Sequence, residues 1–257
     1  MAHFKPIMLQ GLAGSIPVFL YEPNPAASND EGVLLISSAP WDGMRLSWFY
    51  RHLSEQLAHL GYTVTHFDLT GTGDSPAPTQ EMNWNTWLND CSQMRDFARE
   101  RSRRLHLVGP RLGGRLALIA AQSFAFRSVH VIDPVIDGAD YWRELQQIQS
   151  EFLSENSRYG MNHTTNLELL GFPLLPLGDV ATVNLPLDDF KTRRVRIYTS
   201  LGSPPTAPLV QKFVEQNHDV IVTETPDVFS WDNFRSLHHQ CFCLETTRSI
   251  ARHLADS

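Results

Sequence analysis

The sequence predicts an α/β protein built on a mostly parallel sheet with helices on both faces. Three observations predict it. Short β-rich runs alternate with amphipathic helical runs along most of the chain. The run Gly32 to Ser37 is apolar nearly throughout and too short for a helix, as a strand buried on both faces would be. Residues of the core-forming types make up 42% of 257, enough for one large α/β domain or two small ones.

The elements follow in order. Ile7 to Gln10 and Ile16 to Tyr21, separated by Gly11 and Gly14, read as an antiparallel hairpin. The polar turn Ser28-Asn29-Asp30-Glu31 then leads into the third strand, Gly32 to Ser37. From Leu46 the residues Phe49, Leu53, Leu57 and Leu60 recur at spacings of three and four, and Gly61 stands where a C-cap glycine belongs, so a helix ends near Leu60. Next come strand Tyr62 to Phe67, the loop Thr70-Gly71-Thr72-Gly73-Asp74-Ser75, and a helix burying Trp84, Trp87, Cys91, Met94 and Ala98. Cys91 is therefore expected in the core. Strand Leu105 to Val108 breaks at Gly109-Pro110 and runs at once into helix Leu112 to Ala121, before strand Val129 to Ile132.

From about Gly138 to Asp189 the alternation lapses. A helix over Tyr141 to Phe152 opens this stretch, which is expected to be a cap inserted into a single domain spanning residues 1–257. Strand Val195 to Thr199, helix Pro208 to Gln216, strand Val220 to Thr225 and helix Leu244 to Leu254 complete the chain.

Composition excludes several classes. The net charge is −7, from 21 basic and 28 acidic residues, where a nucleic-acid binder would carry a basic excess. No apolar run approaches a membrane span, and Met1 to Lys5 does not read as an export leader. The three cysteines, Cys91, Cys241 and Cys243, have no metal spacing, and Cys-Phe-Cys is too tight for an ordinary disulfide. A cytoplasmic protein without metal or cofactor is expected.

Two antiparallel strands followed by six strand-helix units, with an insertion after the sixth strand, resemble the α/β-hydrolase fold. The stretch Asp68-Leu69-Thr70-Gly71-Thr72-Gly73-Asp74-Ser75 matches that fold's loop after the fourth strand. In such proteins a Gly-x-Ser-x-Gly elbow after the fifth strand lifts a serine to the top of the sheet. Here the register reads Gly109-Pro110-Arg111-Leu112-Gly113, with arginine in the nucleophile's place. A guanidinium stays protonated and neither attacks a carbonyl nor accepts a proton. Val108 to Leu118, Trp84-x-x-Trp87-x-x-Asp90, Pro134-Val135-x-x-Gly138 and Leu169 to Leu174 together resemble the exosortase A system-associated hydrolase 2 family, whose members also carry Arg-Leu-Gly at the elbow. The resemblance implies a bacterial setting in acyl or exported-polymer metabolism, near acyl carrier proteins.

A triad would draw its base from His238 or His239, ahead of the last helix, and its acid from Asp133 or Asp137, after the sixth strand. Both aspartates also stand in ordinary turn-forming pairs, and both histidines stand among bulky residues. Ser75, Cys241 and Cys243 lack elbow geometry. Two roles are open for Arg111. It either holds a substrate carboxylate, sulfate or phosphate at the start of the helix, or pairs internally with Asp42, Asp133 or Asp137. Leu112, Trp41, Asp42 and Met44 would border the ligand, with Trp48 and the Leu169 to Leu175 segment as apolar walls.

Three functions follow. The first is a degenerate, non-hydrolytic protein binding an acyl or carboxylate-bearing ligand, or partnering a homologous hydrolase or an acyl carrier protein. The second is an acyl transferase, lyase or cyclase with His238 or His239 as base. The third is an esterase or thioesterase with a displaced nucleophile.

Overall fold

A computed structural model describes residues 2–38, 40–156, 168–169, 172–173, 185, 190–203, 206–231, 233, 240–241 and 243–256. Its main elements are β1 (His3–Gln10), β2 (Ser15–Glu22), β3 (Glu31–Ile36), α1 (Pro40–His59), β4 (Thr63–Phe67), α2 (Trp84–Arg99), β5 (Arg104–Pro110) and α3 (Arg111–Ser123). These continue as β6 (Val129–Ile132), α4 (Gly138–Asn156), β7 (Arg194–Thr199), α5 (Ala207–Glu215), β8 (Asp219–Glu224) and α6 (Leu244–Ala255).

The strands form one sheet in the order β1-β2-β4-β3-β5-β6-β7-β8. β2 runs antiparallel to β1 and β4, and the pairs from β4 to β8 are parallel. After β4 the chain crosses back past β3 to β5. The carboxyl ends of β3 and β5 therefore flank a crevice where the winding reverses, the usual place for a site in such sheets.

Side-chain alternation divides each central strand between two cores. Leu34, Ile36, Leu107, Val129, Val131 and Ile197 pack with Trp87 and Met94 of α2, Leu116 of α3 and Leu209 of α5. Val33, Leu35, Val64, Val108, Ile132 and Tyr198 pack on the other face with Leu53 and Leu57 of α1 and Ile250 and Leu254 of α6. Cys91 lies in the first core, as its place on the α2 stripe requires.

A polar seam crosses the second face. The ring of His106 reaches Glu31 at 3.1 Å and Ser128 Oγ at 2.7 Å. Ser128 Oγ continues to His130 at 2.7 Å, whose other nitrogen meets the Tyr198 hydroxyl at 2.9 Å. That hydroxyl reaches His253 of α6 at 3.0 Å. Each of these polar groups finds its partner on a neighbouring element, so burial leaves the relay satisfied.

Two boundaries differ from expectation in a way that matters to the site. α1 begins at Pro40, six residues before its apolar stripe, because Pro40 and Asp42 suit a first turn and need no stripe. α4 begins at Gly138, where Asp137 Oδ1 accepts the N–H groups of Ala139 (2.8 Å) and Asp140 (2.9 Å). Beyond α4, Glu168–Leu169 and Phe172–Pro173 form a short antiparallel ladder. The rest of the stretch expected as a cap lies largely outside the described residues.

Candidate functional site

The elbow is formed at the end of β5 as the sequence pattern requires. Arg111 has φ +49°, a left-handed conformation that costs a non-glycine residue roughly 1–2 kcal/mol. The turn is tight enough that a Cβ on Gly113 would stand 2.7 Å from the carbonyl oxygens of both Ile36 and Ser37. Gly113 therefore lets α3 start directly against β3.

Arg111 turns inward and is 2% exposed. Its Nη2 is hydrogen-bonded to Glu144 of α4, and its Nε stands 3.6 Å from Asp42 Oδ2, an ion-pair distance. The guanidinium also lies over Tyr141 (5.2 Å) and Trp231 (5.0 Å). Burial works against its charge, but Asp42 and Glu144 outweigh it and hold the group protonated above the usual range. Asp42 is 3% exposed, and burial pushes its carboxyl upward against the pull of Arg111 and Arg45. The Tyr141 hydroxyl donates to Asp42 Oδ2 (3.2 Å) and accepts from Trp41 Nε1 (2.8 Å). Glu144, Tyr141 and Trp231 were not among the residues expected here. Tyr141 and Glu144 share one face of α4 at i, i+3, a spacing the sequence carried but gave no reason to aim at the elbow.

The remaining expected residues are dispersed. Asp133 is buried, with φ +41°, and accepts from Ser200 N (2.9 Å), Ser200 Oγ (2.6 Å) and Trp231 Nε1 (2.8 Å), all of which tie loops together. Asp137 is exposed and serves the start of α4. The Leu112 side chain is fully buried in the core, and Trp41 is sealed beneath Tyr141. His238 and His239 lie outside the described residues. Ser75 holds its own loop, with Oγ accepting from Gly71 N (3.1 Å) and Ala77 N (3.3 Å). The N–H of Ser38, in the loop where an oxyanion donor would be sought, donates instead to the Tyr50 hydroxyl at 2.8 Å.

Open space lies to one side of the elbow. A cavity of about 830 Å³ is bounded by β2, the end of β3, α1, the loop after β4 and Phe172, with neither Arg111 nor Asp42 on its wall. Met44, 50% exposed, stands on that wall. At the floor, Ser37 Oγ donates to the Phe67 carbonyl at 2.6 Å and lies 2.9 Å from His66 Nε2. Asp68 accepts from Asp74 N at 2.8 Å, and burial raises its pKa to about 6. A Cβ on Gly73 would touch the Asp68 carboxylate at 2.2 Å, which accounts for that glycine in the loop motif.

Residues 43–154 match the family model described as serine aminopeptidase, S33. Among solved structures, Est1E from Butyrivibrio proteoclasticus with bound ferulic acid is 14% identical with a TM-score of 0.67, over 97% of this chain and 98% of its own. An esterase of Pyrococcus furiosus is 14% identical with a TM-score of 0.66, over 99% of this chain and 91% of its own. A serine hydrolase without a lid from Xanthomonas campestris is 15% identical with a TM-score of 0.59, over 98% and 93%. No curated protein matches. Sheet order, elbow and structural likeness agree on the architecture: the chain has the α/β-hydrolase fold.

Proposed function

We propose that this chain is a non-hydrolytic protein of the α/β-hydrolase fold, which keeps the elbow as a closed ionic lock and binds a small amphiphilic molecule in the cavity beside α1. The observation that carries the reading is the burial of Arg111 between Asp42 and Glu144 at the nucleophile's position. Neighbouring parts of a serine site are committed elsewhere. The Ser38 N–H is spent on Tyr50, and the Asp133 carboxylate on Ser200 and Trp231. An anion approaching Arg111 would have to displace two carboxylates already in place.

The Arg-Leu-Gly elbow and the resemblance to the exosortase A system-associated hydrolase 2 family support the same reading. The setting in bacterial acyl metabolism that this resemblance implies would supply molecules with the hydrocarbon that a cavity walled by Phe19, Tyr50, Met44 and Phe172 accommodates. Treatment with a fluorophosphonate serine probe tests the reading. Intact mass should be unchanged, and p-nitrophenyl esters and acyl thioesters should turn over no faster than with heat-denatured protein. A stoichiometric adduct, or turnover abolished by that adduct, overturns it.

A further inference from the structure

The cavity floor has a definite hydrogen-bond polarity. The Phe67 carbonyl can only accept, so at 2.6 Å it takes the single hydroxyl proton of Ser37. Ser37 Oγ must then accept from His66 Nε2, which fixes the proton of the neutral imidazole on that nitrogen. His66 Nδ1 is left as a lone-pair acceptor, and it meets no hydrogen-bonding partner among the described residues. The ring itself is 8% exposed, stacked on Tyr50 (4.6 Å) and Phe19 (5.3 Å), and lines the cavity. Desolvation holds it neutral, with its pKa lowered to about 3.

Asp68, two residues along the chain from His66, adds a carboxylate to the same cavity wall, and Asp74 and Glu55 add two more. Among the described residues, the one cationic side chain on the wall, Arg51, is paired with Glu55 at 2.9 Å. A carboxylate head would meet acceptors and like charge here, whereas a head that donates hydrogen bonds and carries positive charge would meet partners.

We propose that the cavity binds a small hydrocarbon-bearing amine, its ammonium head between Asp68 and His66 and its tail against Tyr50, Met44 and Phe172. This rests on the ligand-binding reading above and specifies the ligand's head group.

Calorimetric titration at pH 7.5 with octylamine, octan-1-ol and octanoate separates the two. Octylamine should bind one-to-one and at least tenfold tighter than octanoate. Asp68→Asn should remove most of that preference. Met44→Lys, at a half-exposed helix position that tolerates charge, should weaken octylamine at least fivefold in a protein with unchanged thermal unfolding. Octanoate binding as tightly as octylamine overturns the amine inference and leaves the ligand-binding reading standing. So does an amine preference that survives Met44→Lys, since the amine is then held elsewhere on an acidic surface. Failure of all three probes to bind overturns both.

Discussion

Arg111 Nε stands 3.6 Å from Asp42 Oδ2, and both side chains are sealed from solvent at the point where this fold elsewhere exposes its nucleophile. The pair joins the elbow to the first turn of α1, and Glu144 extends it to α4. Removing one member of such a buried set leaves the others uncompensated, at a cost of about 3–5 kcal/mol. Arg111→Met should therefore lower unfolding stability in urea by that order. The double variant Arg111→Met with Asp42→Leu should be less destabilised than the sum of the singles, by at least about 1 kcal/mol. Strict additivity would mean that the two charges do not interact.

The elbow's glycine makes a second expectation. A Cβ on Gly113 would meet the carbonyl oxygens of Ile36, the last residue of β3, and of Ser37 at 2.7 Å, and backbone cannot yield as a side-chain end can. Gly113→Ala should cost about 2–3 kcal/mol, in the range of an overpacked core. Gly202 provides the contrast: its φ is +79°, and a methyl group there would find nothing within 4 Å. Gly202→Ala should cost only about 1 kcal/mol, the conformational penalty alone. Equal melting-temperature shifts for the two would mean the close approach at the elbow is unimportant.

Much of this architecture was legible because periodicity and glycine placement report on burial and turns directly. The strand Val129 to Ile132 and the α2 stripe from Trp84 to Ala98 stand where the pattern places them. The first turn of α1 was not legible, since Pro40-Trp41-Asp42-Gly43 carries capping chemistry and no stripe. The elbow arginine could be read as out of place, but its partner Glu144 could not be identified. Glu144 sits 33 residues away on a helix whose docking angle no local pattern fixes. His66 escaped for the same reason. Its partners Ser37, Tyr50 and Phe19 come from other parts of the chain, and in the strand nothing set it apart from the neighbouring polar residues Thr63 and Thr65.

The histidine seam predicts a pH-dependent mutant penalty. Burial holds His130 well below its ordinary pKa, with His106, Arg196 and His253 adding like charge, whereas the unfolded chain protonates near 6.5. A group whose folded pKa is depressed is proton-poor in the native state between those two values. The stability it supports is complete above about pH 6.5 and falls as pH drops through and below it. His130→Phe removes the partner shared by Ser128 and Tyr198, which keep only His106 and His253, and should be costly at pH 7.5. It also removes the proton linkage, so its penalty should shrink by roughly 1.4 kcal/mol on going to pH 5.5, one unit below the unfolded value. Urea unfolding of both proteins at the two pH values measures this, and a penalty that stays constant or grows at low pH would contradict it.

The cysteines give the last expectation. Cys91, Cys241 and Cys243 are free and buried, and Cys243 Sγ donates to the Cys241 carbonyl at 3.4 Å. Burial pushes the Cys241 thiol up to about 11 and raises Cys91 and Cys243 as well. Alkylation requires thiolate. At pH 7.5 a thiol with a pKa near 11 is ionised in about 3 molecules in 10,000, against about 1 in 10 for a free cysteine near 8.5. Iodoacetamide should therefore modify the native protein at least about 100-fold more slowly than a small thiol, and burial of the sulfur slows it further. In denaturing urea all three should react at the free rate, adding three carbamidomethyl groups by intact mass. A cysteine that reacts in the native protein within tenfold of the free rate would mark an activated thiol, and with it a nucleophile that the present placement of Cys241 and Cys243 denies.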